Sequence, residues 1–192
     1  ADGDWSSDVC SSDLVEATFP ELEGIEDETL RRRTVDAWVL AMEENGVDDL
    51  ATVPWRPPDQ ERLGLGEEWL VDHVREVAAG GLALADLLNE RRDAGIDTDV
   101  VVAGGLVHDV SKLYEFHGFE ETAIGDLLGH PYYGVYVAGR VGLPPELVAI
   151  TVNHTGVTNV EPATVEAAVV RQADYASAAA IWGQGGRDLR EV

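Results

Sequence analysis

The chain has 192 residues, of which 45% are hydrophobic, so it is long enough to form one domain with a substantial core. It carries 37 acidic residues against 13 basic ones, a net charge of −24, and we therefore expect no sequence-independent binding to duplex nucleic acid. No apolar run approaches the roughly 18 residues that a membrane span needs, which predicts a cytoplasmic protein that does not enter a membrane.

The N-terminal segment has an unusual composition. Residues 4–14 read DWSSDVCSSDL, the string that a common sequencing-adaptor oligonucleotide encodes. We therefore interpret residues 1–14 as an artefact of sequence assembly and predict that they are unstructured; a natural disordered tail is the alternative. Cys10, the single cysteine, then carries no information on the redox compartment. The credible chain begins near Val15, and whether a natural segment precedes it is left open.

Hydrophobic periodicity predicts a series of helices. Proline-rich loops and glycine turns separate them. In chain order we expect helices over residues 26–45, 67–92, 98–114, 131–140, 144–154 and 163–181. Residues 118–129 are predicted as a loop with one short helix, and no hairpin is expected. The sum is an all-α domain over residues 67–182, preceded by a helix and a proline-rich loop in residues 15–66 and followed by a flexible tail in residues 183–192.

The helix predicted over residues 98–114 is the most apolar of the series. It contains the run VVVAGGLVHDV, so we expect it to be central and buried. Gly104 and Gly105 are expected to permit close packing of neighbouring helices against it.

Four of the five histidines stand in polar interruptions of these apolar helices or beside turns. Imidazole and carboxylate groups are the natural ligands of borderline and hard divalent metals. Separate helices of a bundle can bring such ligands together in its core. The candidate ligands are His73, His108, Asp109, His130, His154 and Asp174.

The order of these residues resembles a known family pattern. His73, then His108-Asp109, then Asp174 is similar to the H…HD…D pattern of HD-superfamily phosphohydrolases. The segments HDVSKLYEF, GDLLGHPYYG and NHTG extend the resemblance to members with two extra histidines, such as the HD domains of certain 3′–5′ exoribonucleases and HD-type diadenosine tetraphosphate hydrolases. The resemblance covers residues 67–180 and implies an HD-domain helical bundle with a metal site in its core. The exoribonucleases also carry an oligonucleotide-binding barrel, for which residues before 67 show no pattern.

The resemblance also implies roles for the candidate ligands. His73, His108, Asp109 and Asp174 would hold a first metal ion, and Asp109 would bridge to a second ion held by His130 and His154. One or two divalent ions (Mn, Fe, Ni, Co, Mg or Zn) would activate water to hydrolyse a phosphomonoester or phosphodiester of a small, nucleotide-like substrate. In single-metal relatives, the positions of the two extra histidines can instead contact the substrate phosphate.

Lys112 is the single lysine of the chain, beside 12 arginines. Such an acidic, lysine-poor composition fits a protein that stays soluble at high salt, or an acidic protein from a GC-rich genome. A lone lysine three residues after Asp109, on the same helical face, is predicted to bind a phosphate oxygen or to stabilise the leaving group. We predict Asp109 and Lys112 as the catalytic residues. Arg171 and Arg140 are further candidates for binding substrate phosphate, although a surface ion pair is the alternative for Arg171.

Other polar residues near the motif have weaker claims. Glu115 and Glu166 are candidates to hydrogen-bond the metal ligands. The aromatic side chains of Tyr132, Tyr133 and Tyr175 would line the pocket or simply pack. His117 is predicted to be structural or exposed to solvent.

Two other functions are compatible with the sequence. A catalytically silent HD domain could sense a nucleotide or regulate a partner, although a silent site has no need of six ligands. An HD-fold oxygenase with a di-iron site would use the same ligand set, and Lys112, which suits phosphate, argues against it.

Overall fold

The computed structural model describes residues 11–191, and this part of the chain is predominantly helical, which confirms the predicted all-α class. Its α-helices are α1 (Ser11–Thr18), α2 (Glu28–Asn45), α3 (Pro57–Leu63), α4 (Leu70–Arg92), α5 (Thr98–Val107), α6 (Lys112–Glu115), α7 (Ala123–Leu127), α8 (His130–Arg140), α9 (Pro145–Asn153) and α10 (Val165–Gln184). Short 3₁₀ turns lie at Pro20–Gly24, Leu50–Thr52 and Leu189–Glu191. Among residues 11–191, no helix combines the length and apolar composition needed to cross a membrane.

The long helices begin and end close to the predicted positions because capping residues define their ends. At the start of α2, the Asp27 carboxylate accepts hydrogen bonds from two backbone NH groups of the first turn. Gly46, with a φ of 62°, ends that helix in the left-handed conformation. The side chain of Thr164 caps α10 in the same way, and α10 continues to Gln184, beyond the predicted end.

Helix α5 lies at the centre of the core, where it packs against α2, α4, α9 and α10. A Cβ atom on Gly105 would lie 2.6 Å from the Cα atom of Ala78 in α4. A Cβ atom on Gly104 would lie 2.8 Å from the Cδ1 atom of Ile150 in α9. The predicted close packing at these glycines is confirmed, and it brings the helices that carry the candidate ligands together.

The prediction of one continuous helix over residues 98–114 is wrong. Regular α-helix stops at Val107 and resumes at Lys112. Between them the chain makes tighter turns, and the Lys112 NH group donates to the Asp109 carbonyl at 2.9 Å, the spacing of a 3₁₀ turn. Periodicity does not detect the break, because the residues on both sides stay buried. His108 and Asp109 therefore lie in a turn between two helices.

The N-terminal segment also differs from the prediction. Residues 11–14 form the first turn of α1, and Leu14 packs against the core, so the expectation of an unstructured segment is wrong there; residues 1–10 lie outside the described residues. Phe19 is fully buried, with its ring 4.9 Å from that of Trp38. The interpretation of the string as an adaptor artefact concerns the gene and stays a prediction, as do the domain boundaries.

The proline-rich loop contains an unpredicted helix, α3. Pro57 and Pro58 occupy its first turn, where the missing NH group costs no helical hydrogen bond. The buried Asp59 carboxylate accepts from the indole NH group of Trp182 in α10 at 3.0 Å. The hydrogen bond fixes the loop beside the C-terminal helix, next to the candidate site.

A two-residue hairpin, which the sequence did not predict, follows α6. Strand β1 (Phe116–His117) pairs with β2 (Glu120–Glu121) in antiparallel register. Gly118 provides the left-handed residue of the turn, with a φ of 62°. His117 lies on this hairpin and is exposed, as predicted.

Candidate metal centre

All six predicted ligands converge at one end of the bundle. They come from three helices, from the turn between α5 and α6, and from the residue that follows α9. His73 lies in the first turn of α4, His108 and Asp109 in the turn before α6, His130 at the start of α8, His154 directly after α9, and Asp174 in α10. The six residues form two sets, each with its ligand atoms within 4.8 Å of one another. We call His73, His108 and Asp174 the inner set, and Asp109, His130 and His154 the outer set.

The inner set is compact; its two imidazoles are almost completely buried, and 12% of the Asp174 side chain is exposed. The Nε2 atom of His73 lies 3.1 Å from Oδ1 of Asp174 and 3.3 Å from Nε2 of His108. The Nε2 atom of His108 lies 3.8 Å from the same Asp174 oxygen. All three ligand atoms therefore face one small volume.

The outer set has the same form around one oxygen of Asp109. Its Oδ1 atom lies 3.0 Å from Nε2 of His130 and 3.5 Å from Nε2 of His154. His130 has 13% of its side chain exposed, whereas the side chains of Asp109 and His154 are almost fully buried. The outer set therefore reaches solvent through His130.

Asp109 lies between the two sets. While Oδ1 faces the outer histidines, Oδ2 lies 3.5 Å from the Nε2 atoms of both His73 and His108. One carboxylate thus presents one oxygen to each set. This is the arrangement that a bridging ligand between two ions requires.

Backbone carbonyls fix the orientation of two of the imidazoles. The Nδ1 atom of His108 lies 2.7 Å from the carbonyl oxygen of Gly105, and that of His154 lies 3.0 Å from the carbonyl oxygen of Thr151. Because a carbonyl oxygen can only accept, each Nδ1 carries the proton. In the neutral imidazole, each Nε2 atom then has a free lone pair that points into the site.

Side chains fix the other two imidazoles. The Ser177 hydroxyl donates to Glu76 at 2.6 Å, so its oxygen accepts from Nδ1 of His73 at 2.9 Å. His130 donates from Nδ1 directly to the Glu115 carboxylate at 2.8 Å. Partners of this kind select the tautomer and hold the ring of a metal-binding histidine.

The donor set fits one divalent cation in each set. Ligand atoms about 2.0–2.2 Å from one ion lie about 2.8–3.6 Å apart in tetrahedral or octahedral geometry, and most of the distances above fall in this range. When both imidazoles are neutral with Nδ1 protonated, the Nε2 atoms of His73 and His108, 3.3 Å apart, cannot hydrogen-bond to each other, and a cation between them would accept both lone pairs. The chemistry of these atoms therefore suits cation binding better than it suits hydrogen bonding.

The electrostatic field of the site keeps its acids ionised. Burial opposes the charged form of Asp109, but Lys112 and then His108 outweigh it and hold the pKa of that carboxyl well below its usual range. Glu115 behaves alike: burial opposes ionisation, yet the hydrogen bond from His130 and the charge of Lys112 lower its pKa to about 2. In the buried imidazole of His154, desolvation lowers the pKa and favours the neutral form that a metal needs.

A small pocket opens directly onto the ligands and continues into a larger cleft. The pocket has a volume of about 60 Å³ and the cleft one of about 350 Å³. Both are lined by Arg56, Lys112, His130 and Thr155, so these residues mark the junction. Lys112, predicted as catalytic, is buried there with Nζ 3.8 Å from Oδ2 of Asp109 and 3.7 Å from Oε2 of Glu115.

Aromatic side chains form one wall of the small pocket. The ring of Trp55 lies 5.2 Å from that of His73 and 5.8 Å from that of Trp182. Tyr175 lines the same pocket, and Tyr132 lines the larger cleft, as predicted for these two. Tyr133 instead packs its ring 4.7 Å from that of Tyr114, away from the ligands.

Two of the predicted arginine and glutamate positions do not reach the site. Arg140 is exposed at the end of α8 opposite to His130, about 15 Å along the helix axis, so its prediction as a phosphate ligand is wrong. Glu166 lies at the start of α10 and accepts from the backbone NH group of Asp97, far from the ligands at the other end of α5.

Arg171 occupies an intermediate position. Its guanidinium pairs with Glu161 at 2.8 Å and donates to the hydroxyl of Tyr175 at 3.4 Å. The ion pair is the alternative that the sequence left open. Arg171 therefore supports a pocket-lining tyrosine, and its role in binding phosphate stays a prediction.

Several site residues were not predicted. Arg56 lies at the junction of pocket and cleft, in a loop between prolines, and ion-pairs through Nε with Asp59 at 3.2 Å. Ser177 and Glu76 orient His73, and the Ser111 hydroxyl donates to the His130 carbonyl at 2.7 Å. The position of Arg56 between Trp55 and Pro57 was an available signal, since conformationally restricted loops carry functional residues. The serines have no distinguishing pattern in the sequence.

Comparison with known proteins assigns the chain that carries this site to a family. The model of the HD domain family matches residues 70–179, more than half of the chain. A dihydroneopterin 2′,3′-cyclic phosphate phosphodiesterase of Methanocaldococcus jannaschii is 27% identical over 161 residues, which are 80% of this chain and 65% of the relative. A ribonuclease Y of Fervidobacterium nodosum is 31% identical over 118 residues, which are 62% of this chain and 20% of the relative. The chain thus spans less than two thirds of either relative. No solved structure gives a significant match.

Proposed function

Because the chain belongs to the HD domain family, we propose that it hydrolyses a phosphomonoester or a phosphodiester of a small, nucleotide-like substrate. A metal-dependent phosphohydrolase is supported at the family level by the family match and by the phosphodiesterase relative. The observation that carries the proposal is the position of Asp109, which presents Oδ1 to His130 at 3.0 Å and Oδ2 to His73 at 3.5 Å.

The six ligands would hold one or two divalent ions, one in each set. When bound, such ions lower the pKa of coordinated water toward neutrality and neutralise charge on phosphoryl oxygens. The protein contributes four imidazoles whose Nδ1 protons are donated to fixed acceptors, so their Nε2 lone pairs need no reorganisation. Asp109 and Asp174 stay ionised because their pKa values are lowered despite burial.

Lys112 and Arg56 are the residues best placed to bind the phosphoryl group. Lys112 lies 3.7 Å or more from both neighbouring carboxylates, beyond hydrogen-bond range, so its ammonium can donate to a phosphate oxygen. Arg56 ion-pairs through Nε, and 47% of its side chain stays exposed at the mouth of the pocket. Together they would neutralise charge that the ions leave uncompensated.

The substrate class rests on the relatives and on the charge of the chain. One relative acts on a cyclic phosphate and the other is a ribonuclease, so both names describe phosphodiester cleavage. The net charge of −24 disfavours a duplex polyanion. A small phosphate ester, neutralised locally by the bound ions and by Lys112, is the substrate that fits both the activities named for the relatives and the acidic charge of the chain.

The test is a phosphate-release screen on purified protein loaded with manganese, iron, nickel or cobalt. The panel contains bis-p-nitrophenyl phosphate, nucleoside monophosphates and 2′,3′-cyclic nucleotides, and metal content is measured on the same samples. We expect turnover that chelation abolishes and that His108→Ala removes together with bound metal. No turnover by metal-loaded protein, with unchanged metal content in His108→Ala, would reject the proposal. Oxygen uptake by the iron-loaded protein without phosphate release would favour an oxygenase. Tight binding of a nucleotide without turnover would favour a nucleotide sensor.

A further inference from the structure

The sizes of the two connected cavities differ in a way that constrains the substrate. The pocket over the ligands is small, with a volume of about 60 Å³, room for a few heavy atoms. The cleft beside it has about 350 Å³, near the lower end of small-molecule sites. One phosphoryl group fits the pocket, and one compact body of nucleoside size fits the cleft.

The charges along this path change sign. Arg56 and Lys112 lie at the junction, where they line both cavities. Glu121 and Asp126, in contrast, line only the larger cleft, and both are exposed. A phosphate at the junction meets Arg56 and Lys112 beside Glu115, whose carboxylate already accepts from His130, whereas a second phosphate in the cleft meets the exposed carboxylates of Glu121 and Asp126 on a chain of net charge −24.

The larger cleft is also lined by exposed apolar side chains from three segments. Leu127 and Leu128, at the end of α7, are 81% and 49% exposed. Val157, in the loop between α9 and α10, is 76% exposed, and the ring of Tyr132 is 40% exposed. All four line the cleft. An uncharged, flat body between them would bury this apolar surface, which a charged chain would not.

We propose that the cleft selects phosphate esters with a single phosphoryl centre on an uncharged, largely aromatic body. Monoesters and cyclic diesters of a nucleoside or a comparable heteroaromatic alcohol belong to this class. Polyphosphates and oligonucleotides do not, because their further phosphates would face Glu121 and Asp126. The inference rests on the proposed hydrolase function and names its substrate class.

The experiment compares kcat/KM of the metal-loaded protein on matched substrates. Adenosine 2′,3′-cyclic phosphate and AMP carry one phosphoryl centre; ATP, diadenosine tetraphosphate and a ten-residue oligoadenylate carry several. We expect kcat/KM to be at least ten-fold higher for the first two. The double variant Glu121→Gln/Asp126→Asn should reduce this ratio, because the values for the polyanions rise more than those for AMP. Equal or higher kcat/KM on the polyanions, or an unchanged ratio in the double variant, would overturn the inference.

A second variant pair tests the apolar contacts. Leu127→Asp places a charge on an exposed cleft residue, and we expect it to raise KM for the nucleoside substrates at least five-fold. Leu87→Asp changes a leucine in α4 that is 49% exposed outside the cleft and should leave KM unchanged. Equal effects of the two variants would contradict the inference.

Measured binding affinities test the inferred class of ligand independently of catalytic turnover. Calorimetry with metal-loaded protein should give tighter binding of AMP than of ATP, and Leu127→Asp should weaken the binding of AMP. If no substrate turns over but this order of affinities holds, the proposed hydrolase fails while the class of ligand stands. Tighter binding of ATP would overturn the inference whatever the turnover.

Discussion

The inner and outer ligand sets have similar ligands but different support. In the inner set, His73 and His108 donate to a serine hydroxyl and to a backbone carbonyl, both neutral. In the outer set, His154 likewise donates to a backbone carbonyl, but His130 donates directly to the Glu115 carboxylate, with Lys112 at 3.7 Å from the same oxygen. The outer set also borders the larger cleft through His130, whereas the inner set lines only the small pocket.

The difference indicates that the two ions should bind with different affinities. The inner set has its own carboxylate, Asp174, in addition to the nearer oxygen of Asp109. The outer set has only Asp109, and the positive charge of Lys112 lies close by. We therefore expect the inner ion to bind more tightly and the outer ion, next to the substrate cleft, to exchange more readily.

The largest expected effect follows from removing the residue that the two sets share. Asp109→Ala takes one ligand oxygen from each set, so we expect both ions to be lost and phosphate release to fall at least 1000-fold. Metal content by elemental analysis and turnover on the same sample measure this. His117→Ala, which removes an exposed histidine outside the site, is the control and should retain both. An Asp109→Ala protein that keeps its ions would contradict a bridging role.

Single-ligand variants should separate the two sets. His130→Ala removes one outer ligand, and we expect metal content to fall by about one ion per chain while the inner ion stays. His73→Ala should lose the inner ion and keep the outer one. Because the inner ion binds more tightly, His73→Ala should lower the temperature of thermal unfolding by more than His130→Ala does. Elemental analysis with calorimetry checks both. Loss of both ions in His130→Ala would mean that the sets are not independent.

Variants of the supporting hydrogen bonds should have smaller effects. Glu115→Gln weakens the acceptor of His130, and Ser177→Ala removes that of His73, so each should lower the affinity of one ion by about 10- to 100-fold. A chelator titration that follows the dissociation of the two ions separately should show the lower affinity at the weaker, outer ion in Glu115→Gln and at the inner ion in Ser177→Ala. If Ser177→Ala instead weakened the outer ion, the distinction between the two sets would be contradicted.

A substitution in the packing that holds the inner set should change the stability of the fold without removing a ligand or its hydrogen-bond partner. A methyl group on Gly105 would lie only 2.6 Å from the backbone of Ala78, in the helix that carries His73. We expect Gly105→Ala to lower the free energy of unfolding by about 1–3 kcal/mol. The control is Gly139→Ala in α8, where a Cβ atom meets nothing within 4 Å, and a gain of about 0.5–1 kcal/mol is expected. Denaturant unfolding of the metal-free proteins measures both; equal effects would argue against close packing.

The sequence predicted the candidate ligands because metal binding favours a few residue types, which here follow the order of a known family pattern. His73, His108, Asp109 and Asp174 were named from that order, and the structure brings them together with the two further histidines. The long helices were likewise predictable, since apolar periodicity and capping residues such as Asp27 determine them. The glycine pair of α5 was expected to allow close packing for the same local reason.

What could not be predicted depends on contacts between distant segments. Ser177 reaches His73 across 104 positions of the chain, and a serine in a helix carries no sign of such a contact. Arg140 was a candidate for binding substrate phosphate, but the length of α8 places it at the end of that helix away from His130. The break after Val107 was missed because burial continues through it, although the break is what presents His108 and Asp109 to the site.

The central claim is that Asp109 bridges two ions, and diffraction from a manganese-soaked crystal tests it most directly. Anomalous difference density should show two peaks on opposite sides of the Asp109 carboxylate, one beside His73, His108 and Asp174 and the other beside His130 and His154. A single peak confined to one set would reject the bridge. Manganese bound elsewhere, with neither set occupied, would contradict the account of the metal centre.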